Sequence, residues 1–370
     1  MVQLIETKTH LKEIKARKIK KRRVFHGLVN YGSQASLLAQ GLRDKHVNAK
    51  TYTIGDVYQR NTDFEFKKRQ TLPSKVFYYS FVYPIVKIYI FFYFQTFHFY
   101  FGRTLTQKKW DLPLYRYFGK KVVMHYLGDD IRNYKMLISR YKLPKDHLYV
   151  KNEKYHDGIV SRRIKREKKY VDLFLASLPT HVDFAKEYGL RVENIIPLSL
   201  DLEYLTFKKQ PKIIKEIRII HGTTNRKWKG TSFIQKSIKS LIGKGYPINF
   251  KIIENITHDQ LIQEIENCHI YVDQISFGWY GTAALESMAI GRPTIAFVDE
   301  CYFKYIDYEK KIPVINTTKQ NFKDVLEDLI NKPKDLNVIS LKSRKFVEDH
   351  HDIKVTSKKL LNLYQDELWQ

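Results

Sequence analysis

Short apolar runs typical of buried β-strands alternate with helical runs through the second half of the sequence, and this alternation constrains the fold most strongly. It indicates a parallel sheet covered by helices on both faces, because parallel strands must be joined by crossovers. The predicted strands are residues 217–221, 250–253, 270–273, 294–298 and 314–316, and the predicted helices are residues 233–241, 260–267, 282–289 and 322–330. The fold class is therefore α/β.

The first half of the sequence carries a second set of such signals. A predicted strand over residues 23–29 leads through a glycine-containing turn at residues 30–33 into a helix over residues 34–43. Further strands are predicted at residues 98–101, 120–126 and 172–177, and a basic helix is predicted over residues 157–171. Because 370 residues exceed the usual size of one core, we predict two doubly wound, Rossmann-like domains with a cleft between them.

The domain boundary is predicted within residues 197–215, which contain two prolines and little helical periodicity. We assign residues 1–22 to a basic N-terminal extension and residues 23–205 to the first domain. Residues 206–350 form the second domain, and residues 351–370 form a C-terminal helix that returns towards the first.

The positive charge of the chain is unevenly distributed. The formal net charge is +26, and residues 1–200 hold 39 Lys and Arg against 17 Asp and Glu. Such an excess indicates an anionic partner, either nucleic acid, an anionic membrane leaflet or phosphorylated substrates. The two cysteines, Cys268 and Cys301, are too few for a disulfide framework, and the first thirty residues lack the apolar core of a signal peptide. We expect a cytoplasmic protein.

An aromatic segment in the first half raises the question of a membrane. Fourteen of the 25 residues from 77 to 101 are aromatic, and residues 76–94 are long enough for a transmembrane helix. Lys87, Pro84 and the tyrosine hydroxyls oppose a bilayer span, since lysine is unfavourable at the hydrocarbon centre and tyrosine prefers the interface. We expect a helix lying partly in the domain and partly at a membrane surface, with plain core packing as the alternative.

Two loops of the second domain carry residue types suited to a diphosphate. Residues 221–231 join a strand to a helix and place Arg226, Lys227 and Lys229 beside glycines, which let the backbone approach a phosphate closely. A solvated basic turn is the alternative interpretation. The second loop follows the strand at 270–273 and ends where a helix begins near Gly281 or Thr282.

The start of that helix is a candidate anion site, because a helix N-terminus presents free amides and a partial positive charge. Glu286 lies one turn beyond Thr282 among small and apolar residues. The two oxygens of this carboxylate could accept hydrogen bonds from vicinal ribose hydroxyls. In the first half, the polar end of the strand at 120–126 places His125, Asp130 and Arg132 where a substrate could meet them.

At these segments the sequence resembles the retaining, nucleotide-sugar-dependent glycosyltransferases of the two-domain GT-B type, often called group 1 or family 4. The similarity lies in the Lys229-Gly230 pair after a strand and in the run from Gly281 through Leu285-Glu286-Ser287-Met288-Ala289 to Gly291-Arg292-Pro293. It extends to the turn containing Gly27 and Gly32 and to residues 125–132, and covers nearly the whole chain after residue 22.

The resemblance implies specific roles for these residues. Lys229 would hold the donor diphosphate, Glu286 the ribose and His125 the transferred sugar. Backbone donors to the phosphates would come from three successive residues, Gly281, Thr282 and Ala283. Gly27, Gly32, Asp130 and Arg132 would lie on the acceptor side.

Two positions depart from the family's pattern. The family usually has an acidic residue eight positions before the ribose glutamate, where this chain has Gly278, and an arginine five positions before the lysine, where it has Thr224. We expect Arg226 to take over the phosphate contact, and Asp273 or backbone amides to replace the missing carboxylate.

The resemblance implies transfer of a hexose-like sugar from a nucleoside diphosphate to an acceptor hydroxyl with retention, without a metal or other cofactor. The expected acceptor is a saccharide or lipid-linked saccharide used in cell-surface polysaccharide or glycolipid assembly. The expected location is the inner face of the plasma membrane, to which the basic first half would bind peripherally. The alternatives are a nucleotide-sugar epimerase of the same fold and a nucleic-acid-binding protein, but we expect no nucleic-acid partner because that function leaves the segment around Glu286 unexplained.

Overall fold

The computed structural model describes residues 20–55, 62–66, 70–145 and 147–370. Most of the predicted basic extension, residues 1–22, lies outside these described residues. The described part forms two α/β units, each built on one parallel sheet. This architecture confirms the predicted α/β class.

The first unit contains a seven-stranded parallel sheet in the order β3-β2-β1-β4-β5-β6-β7. Its strands are β1 (Arg23–Leu28), β2 (Asn48–Thr53), β3 (Phe64–Glu65), β4 (Thr96–Tyr100), β5 (Lys121–Tyr126), β6 (Leu173–Ala176) and β7 (Asn194–Ile195). The strand order reverses between β1 and β4, and ligands of such sheets bind beyond the carboxyl ends of the strands at this reversal. The loop after β1 therefore lies at the expected ligand position.

The second unit contains a five-stranded parallel sheet in the order β12-β11-β10-β8-β9. Its strands are β8 (Ile217–Gly222), β9 (Ile248–Ile253), β10 (Ile270–Val272), β11 (Thr294–Ala296) and β12 (Ile315–Asn316). Here the order reverses between β8 and β10. The two loops with candidate phosphate-binding residues follow these two neighbouring strands.

Helices connect the strands of both sheets. In the first unit they are α1 (Gln34–Arg43), α2 (Leu72–Phe77), a π-helical turn (Tyr78–Val82), α3 (Tyr83–Tyr93), α4 (Leu112–Tyr117), α5 (Tyr134–Tyr141), α6 (Leu148–Glu167) and α7 (Pro179–Glu187). In the second they are α8 (Arg226–Lys229), α9 (Thr231–Gly243), α10 (His258–Asn267), α11 (Thr282–Ile290), α12 (Phe322–Asn331) and α13 (Asp335–His350), followed by α14 (Ile353–Leu363).

Aromatic side chains form much of the core of the first unit. Phe25, Phe97, Phe99 and Tyr115 are fully buried, and the Phe97 and Tyr115 ring centroids are 4.6 Å apart. Pairs of this kind contribute about 0.5–1.5 kcal/mol each beyond their buried area. The high aromatic content of the first half is thus partly structural.

The C-terminal helix packs against the first unit. Leu360 and Tyr364 are fully buried in the same cluster as Val24 and Leu38. Gly41 of α1 allows this contact, because a Cβ there would lie 2.5 Å from Ser357 of α14. The C-terminal helix therefore lies on the first domain.

Several elements of the first unit differ from the sequence predictions, and β3, β7, α4, α5 and α7 were not predicted. The basic helix expected at residues 157–171 begins at Leu148, where the His147 side chain caps the helix by accepting a hydrogen bond from the Tyr149 amide. β2 was not predicted, because its inward-facing residues include the polar Thr51 and Thr53, both buried. Burial of such polar residues removes the apolar signal by which a strand is recognised.

Candidate active site

The centre of the site is the N-terminus of α11, which meets a lysine from the neighbouring loop. Asp273, at the end of β10, is fully buried and accepts hydrogen bonds from the Gly281 amide at 2.9 Å and from Lys229 Nζ at 2.7 Å. The loops after β8 and β10 are thereby joined through one carboxylate. Two of the segments on which the resemblance rests, Lys229 and the helix start at Gly281–Thr282, therefore lie together in the structure.

Asp273 is ionised in this arrangement. Burial alone would raise the pKa of its carboxyl, but Lys229 and the Gly281 amide outweigh burial and lower the pKa below its ordinary value. The Gly281 amide is occupied by this bond. The amides of Thr282 and Ala283, in the partly exposed first turn, have no acceptor within the helix. Lys229 retains two further N–H donors.

The loop bearing Lys229 is held by a buried histidine. His221 lies at the end of β8, and its Nδ1 lies 2.9 Å from the Val272 carbonyl while its Nε2 lies 2.8 Å from Thr231 Oγ1. Since a carbonyl only accepts, Nδ1 carries the proton and Nε2 accepts from the threonine hydroxyl. Burial lowers the pKa of His221 to about 4, so the ring is neutral. This bridge fixes the start of α9 relative to β10.

Glu286 lies one turn into α11 and is nearly buried. One carboxylate oxygen lies 2.8 Å from His258 Nε2, at the start of α10. The His258 ring in turn stacks on Tyr204, with ring centroids 6.2 Å apart. Glu286 is thus oriented from outside its own helix. No feature of the sequence signalled the contribution of His258.

The first domain contributes a glycine and an arginine to this region. Gly32 follows β1 with φ of 56°, and a Cβ at this position would lie 3.0 Å from Thr282 Oγ1. The Arg132 guanidinium lies 5.7 Å from the ring centroid of Trp228 in the lysine-bearing loop. Gly32 and Arg132 therefore lie at the cleft, against the second domain.

Aromatic rings close one side of the cleft. Tyr149 of α6 lies between two side chains of the second domain, with centroid distances of 5.5 Å to Trp228 and 5.7 Å to Phe277. Its hydroxyl also accepts a 3.4 Å hydrogen bond from Arg132. This contact was not predicted, because an isolated tyrosine in a basic helix carries no sequence signal.

Three residues expected on the first-domain side of the cleft lie elsewhere. His125 is fully buried, with its ring nitrogens 3.1 Å from His98 Nε2 and 2.9 Å from Ser177 Oγ, so both nitrogens already have partners in the core. Gly27 lies within β1, where a Cβ would collide with the Tyr52 carbonyl.

Asp130 is the third of these residues. It is buried, and its Oδ1 accepts hydrogen bonds from the Leu127 and Gly128 amides. Burial raises the pKa of this carboxyl to about 6 despite the nearby Arg163 guanidinium. Asp130 therefore holds the loop after β5 in place.

Arg226 differs from expectation, and the surroundings of Gly278 explain why the chain lacks an acidic residue there. Arg226 is exposed and donates two hydrogen bonds, of 2.9 and 2.6 Å, to Glu254. Gly278, at the position of the family's second acidic residue, has φ of 70°, and a Cβ there would lie 2.4 Å from the Tyr141 hydroxyl. The first domain thus occupies the space that an acidic side chain would need.

The described residues contain no group of three or more His, Cys, Asp or Glu side chains placed to hold a metal ion. Lys229 and the first turn of α11 provide the positive charge at the centre of the site.

Comparison with solved structures establishes the fold type. Sucrose-phosphate synthase from Thermosynechococcus elongatus matches with a TM-score of 0.62 and 13% identity, over 94% of this chain and 99% of that chain. The catalytic domain of starch synthase IV from Arabidopsis thaliana, bound to ADP and acarbose, matches with a TM-score of 0.57 and 10% identity, over 94% and 100%. A Listeria monocytogenes protein assigned as a UDP-N-acetylglucosamine 2-epimerase matches with a TM-score of 0.52 and 10% identity, over 93% and 95%.

The chain has the GT-B fold. No protein-family model and no curated protein sequence matches it. The similarity to these structures confirms the predicted two-domain architecture. A proposal about function must be argued from the residues of the site.

Proposed function

We propose that this protein is a glycosyltransferase that moves a sugar from a nucleoside diphosphate to an acceptor hydroxyl, with retention at the anomeric carbon. The observation that carries the proposal is the junction of Lys229, Asp273 and Gly281 at the helix start, faced by Gly32 of the opposite domain. This junction lies where both sheets reverse their strand order.

The donor diphosphate would lie between Lys229 and the amides of Thr282 and Ala283. The charge of Asp273 is already neutralised by Lys229 and the Gly281 amide. The electrostatic potential at the phosphates is therefore determined by the remaining N–H donors and by the helix dipole. Negative charge grows on the diphosphate as the sugar leaves, so these fixed donors stabilise the transition state more than the ground state. Glu286 would hold the ribose, with His258 fixing the carboxylate orientation.

The acceptor would be a saccharide or a lipid-linked saccharide, as in the assembly of cell-surface polysaccharides or glycolipids, and would enter from the first domain. Arg132 and the Gly32 turn are among the first-domain groups that reach the donor loops. Arg132 would orient acceptor hydroxyls or donor phosphates through its N–H groups. The sugar would meet the acceptor in the cleft beside the contact of Gly32 with Thr282, and no metal or other cofactor is proposed.

A binding experiment tests the donor site. UDP, GDP and ADP, each alone and as a nucleotide sugar, are titrated against the protein by calorimetry. We expect one nucleotide to bind selectively. Lys229→Ala should weaken that binding by about 100-fold, because a charge-assisted contact to phosphate contributes about 1.5–3 kcal/mol. Lys227→Ala is the matched control, since Lys227 is an exposed cation of the same loop.

Removing Lys229 alone leaves the buried Asp273 carboxylate without its cation, which could unfold the protein. The double variant Lys229→Met/Asp273→Asn avoids this, since the asparagine oxygen still accepts from the Gly281 amide. A folded double variant that binds the nucleotide as tightly as the unchanged protein would refute the donor site.

The epimerase-like fold neighbour supplies an alternative outcome. An epimerase would need no acceptor: it would give the epimeric nucleotide sugar, or the free epimeric sugar and the nucleoside diphosphate if water cleaves the glycosyl–phosphate bond. A transferase would instead give a glycoside, and nuclear magnetic resonance of its anomeric proton would reveal retention or inversion.

A further inference from the structure

The longest apolar helix of the described residues lies on the surface of the first domain. α2, the π-helical turn and α3 form one continuous helical segment, Leu72–Tyr93, of 22 residues with a mean hydropathy of 1.4 in its most apolar window. Only 11% of that window is buried, whereas the core helix of a globular domain buries most of its apolar side chains. At 1.5 Å per residue the segment is about 33 Å long.

One face of this segment is attached to the domain. Tyr78 and Ile90 are buried in the core of the first unit, and Val82 and Val86 pack against the same core. These four residues recur at intervals of four, as expected for one side of a helix. The segment is therefore an integral part of the domain surface.

The opposite face is apolar and exposed. Five side chains on this face are each between 58 and 64% exposed: Phe77, Phe81, Ile85, Ile88 and Phe92. A soluble surface helix would carry charged or polar residues at these positions. Their exposure indicates an interaction surface.

The exposed face continues onto the next connection of the domain. Phe118, directly after α4, contacts Phe92 of α3, with ring centroids 5.8 Å apart. Its neighbour Tyr117 is 83% exposed, and Leu114 and Trp110 are exposed as well. We define the docking face as the five side chains of the helical segment together with Trp110, Leu114, Tyr117 and Phe118.

The chain around the docking face is cationic. Residues 66–110 contain no Asp or Glu. Lys87 lies over the Tyr83 ring at 4.0 Å, and burial lowers the pKa of its ammonium group. Lys108 lies 5.7 Å from the ring centroid of Trp110. Long cationic side chains beside aromatic rings suit a surface of anionic phosphates above apolar chains.

We propose that the docking face lies in the headgroup region of an anionic bilayer, with the helical segment parallel to the membrane plane. Its apolar side chains would enter the boundary of the acyl chains, while tyrosine and tryptophan remain at the interface. A transmembrane orientation is disfavoured, because it would withdraw Tyr78 and Ile90 from the core and place Lys87 in hydrocarbon. The fitting surface in a cell is the inner leaflet of the plasma membrane.

The orientation would bring a lipid-linked acceptor to the cleft, and this consequence rests on the proposed function. α2 follows β3, and a crossover helix runs antiparallel to the parallel strands that it connects. The Leu72 end of the segment therefore lies at the carboxyl edge of the sheet, as the Gly32 turn does. A membrane-bound acceptor could reach the site along this edge.

Flotation with vesicles tests the docking face. The full chain is mixed with phosphatidylcholine vesicles that contain or lack phosphatidylglycerol. We expect binding to the anionic vesicles and at least about ten-fold weaker binding to neutral ones, since electrostatic attraction adds about 1 kcal/mol per basic residue. The triple variant Phe81→Ser/Ile85→Ser/Ile88→Ser should reduce anionic-vesicle binding by at least about ten-fold.

A matched control removes exposed apolar side chains elsewhere. Val338 and Leu341 of α13 are 52% and 62% exposed, and Val338→Ser/Leu341→Ser should bind vesicles as the unchanged protein does. Circular dichroism verifies that both variants are folded. Equal binding by the triple variant would overturn the proposal.

Three other results would also overturn it. They are failure to bind either vesicle, a dimer in solution that the triple variant dissociates, and resistance to alkaline carbonate extraction from membranes, which identifies a spanning helix. The nucleotide titration in solution is an independent readout. Loss of vesicle binding with intact nucleotide binding separates failure of the docking face from failure of the donor site.

Discussion

The close approach of Gly32 to Thr282 gives a sharp test of how the two domains form the site. Gly32→Ala places a Cβ 3.0 Å from Thr282 Oγ1, so the threonine must move by a few tenths of an ångström. The φ of 56° adds strain of roughly 1–2 kcal/mol for a residue other than glycine. Because small misplacements in an active site are costly, we expect turnover to fall roughly ten-fold.

Gly119→Ala separates strain from collision. Gly119 has φ of 63°, but a Cβ there would have nothing within 4 Å. Both substitutions should lower the free energy of unfolding by similar amounts, measured by urea denaturation. Only Gly32→Ala should slow the release of nucleoside diphosphate from the nucleotide sugar that the protein binds.

A double-mutant cycle with Thr282→Ala isolates the contact. Removing the Thr282 hydroxyl and methyl groups relieves the collision, so Gly32→Ala should have little further effect on turnover in that background. Two results would show that the contact between Gly32 and Thr282 is not part of the site. Gly32→Ala would slow turnover no more than Gly119→Ala does, or it would slow turnover equally in the unchanged and the Thr282→Ala backgrounds.

Three further outcomes are expected. The free energy of unfolding should fall as the pH drops from about 6.5 towards 3. Burial lowers the pKa of both His26 and His125 to about 3, so the unfolded chain binds more protons than the folded chain in this window. A urea midpoint that does not change with pH would contradict this. Gly278→Glu, which supplies the family's acidic residue, should destabilise the protein by more than 1 kcal/mol in the same assay, because the new side chain collides with Tyr141. Arg226→Ala should change nucleotide affinity less than about three-fold in calorimetry, since this exposed guanidinium is paired with a carboxylate.

The fold could be predicted because its signals are local. The helix expected at residues 282–289 is α11, since glycines flank it at both ends and its interior is apolar. The helix expected at residues 34–43 is α1. β2 could not be predicted, because its buried threonines carry no apolar signal and their partners, the Ala35 carbonyl and the Thr62 hydroxyl, are brought to them only by the fold.

The site was predictable where residues follow strand ends and less so elsewhere. Lys229 and the start of α11 meet because their loops follow β8 and β10, which are neighbouring strands of the sheet. The order of the two motifs along the sequence suggests that these strands are neighbours. Asp273 was named only as a substitute carboxylate, whereas the structure makes it the link between the two loops. His125 shows that a position at a strand end does not by itself indicate a ligand contact. The side chain there can equally be buried, as His125 is beside His98.

A crystal structure of the protein soaked with its preferred nucleoside diphosphate tests the central claim most directly. The account predicts phosphate oxygens within hydrogen-bond distance of Lys229 Nζ and of the Thr282 or Ala283 amides, with the ribose hydroxyls on Glu286. A nucleotide bound outside the cleft, or one whose ribose does not contact Glu286, would contradict it.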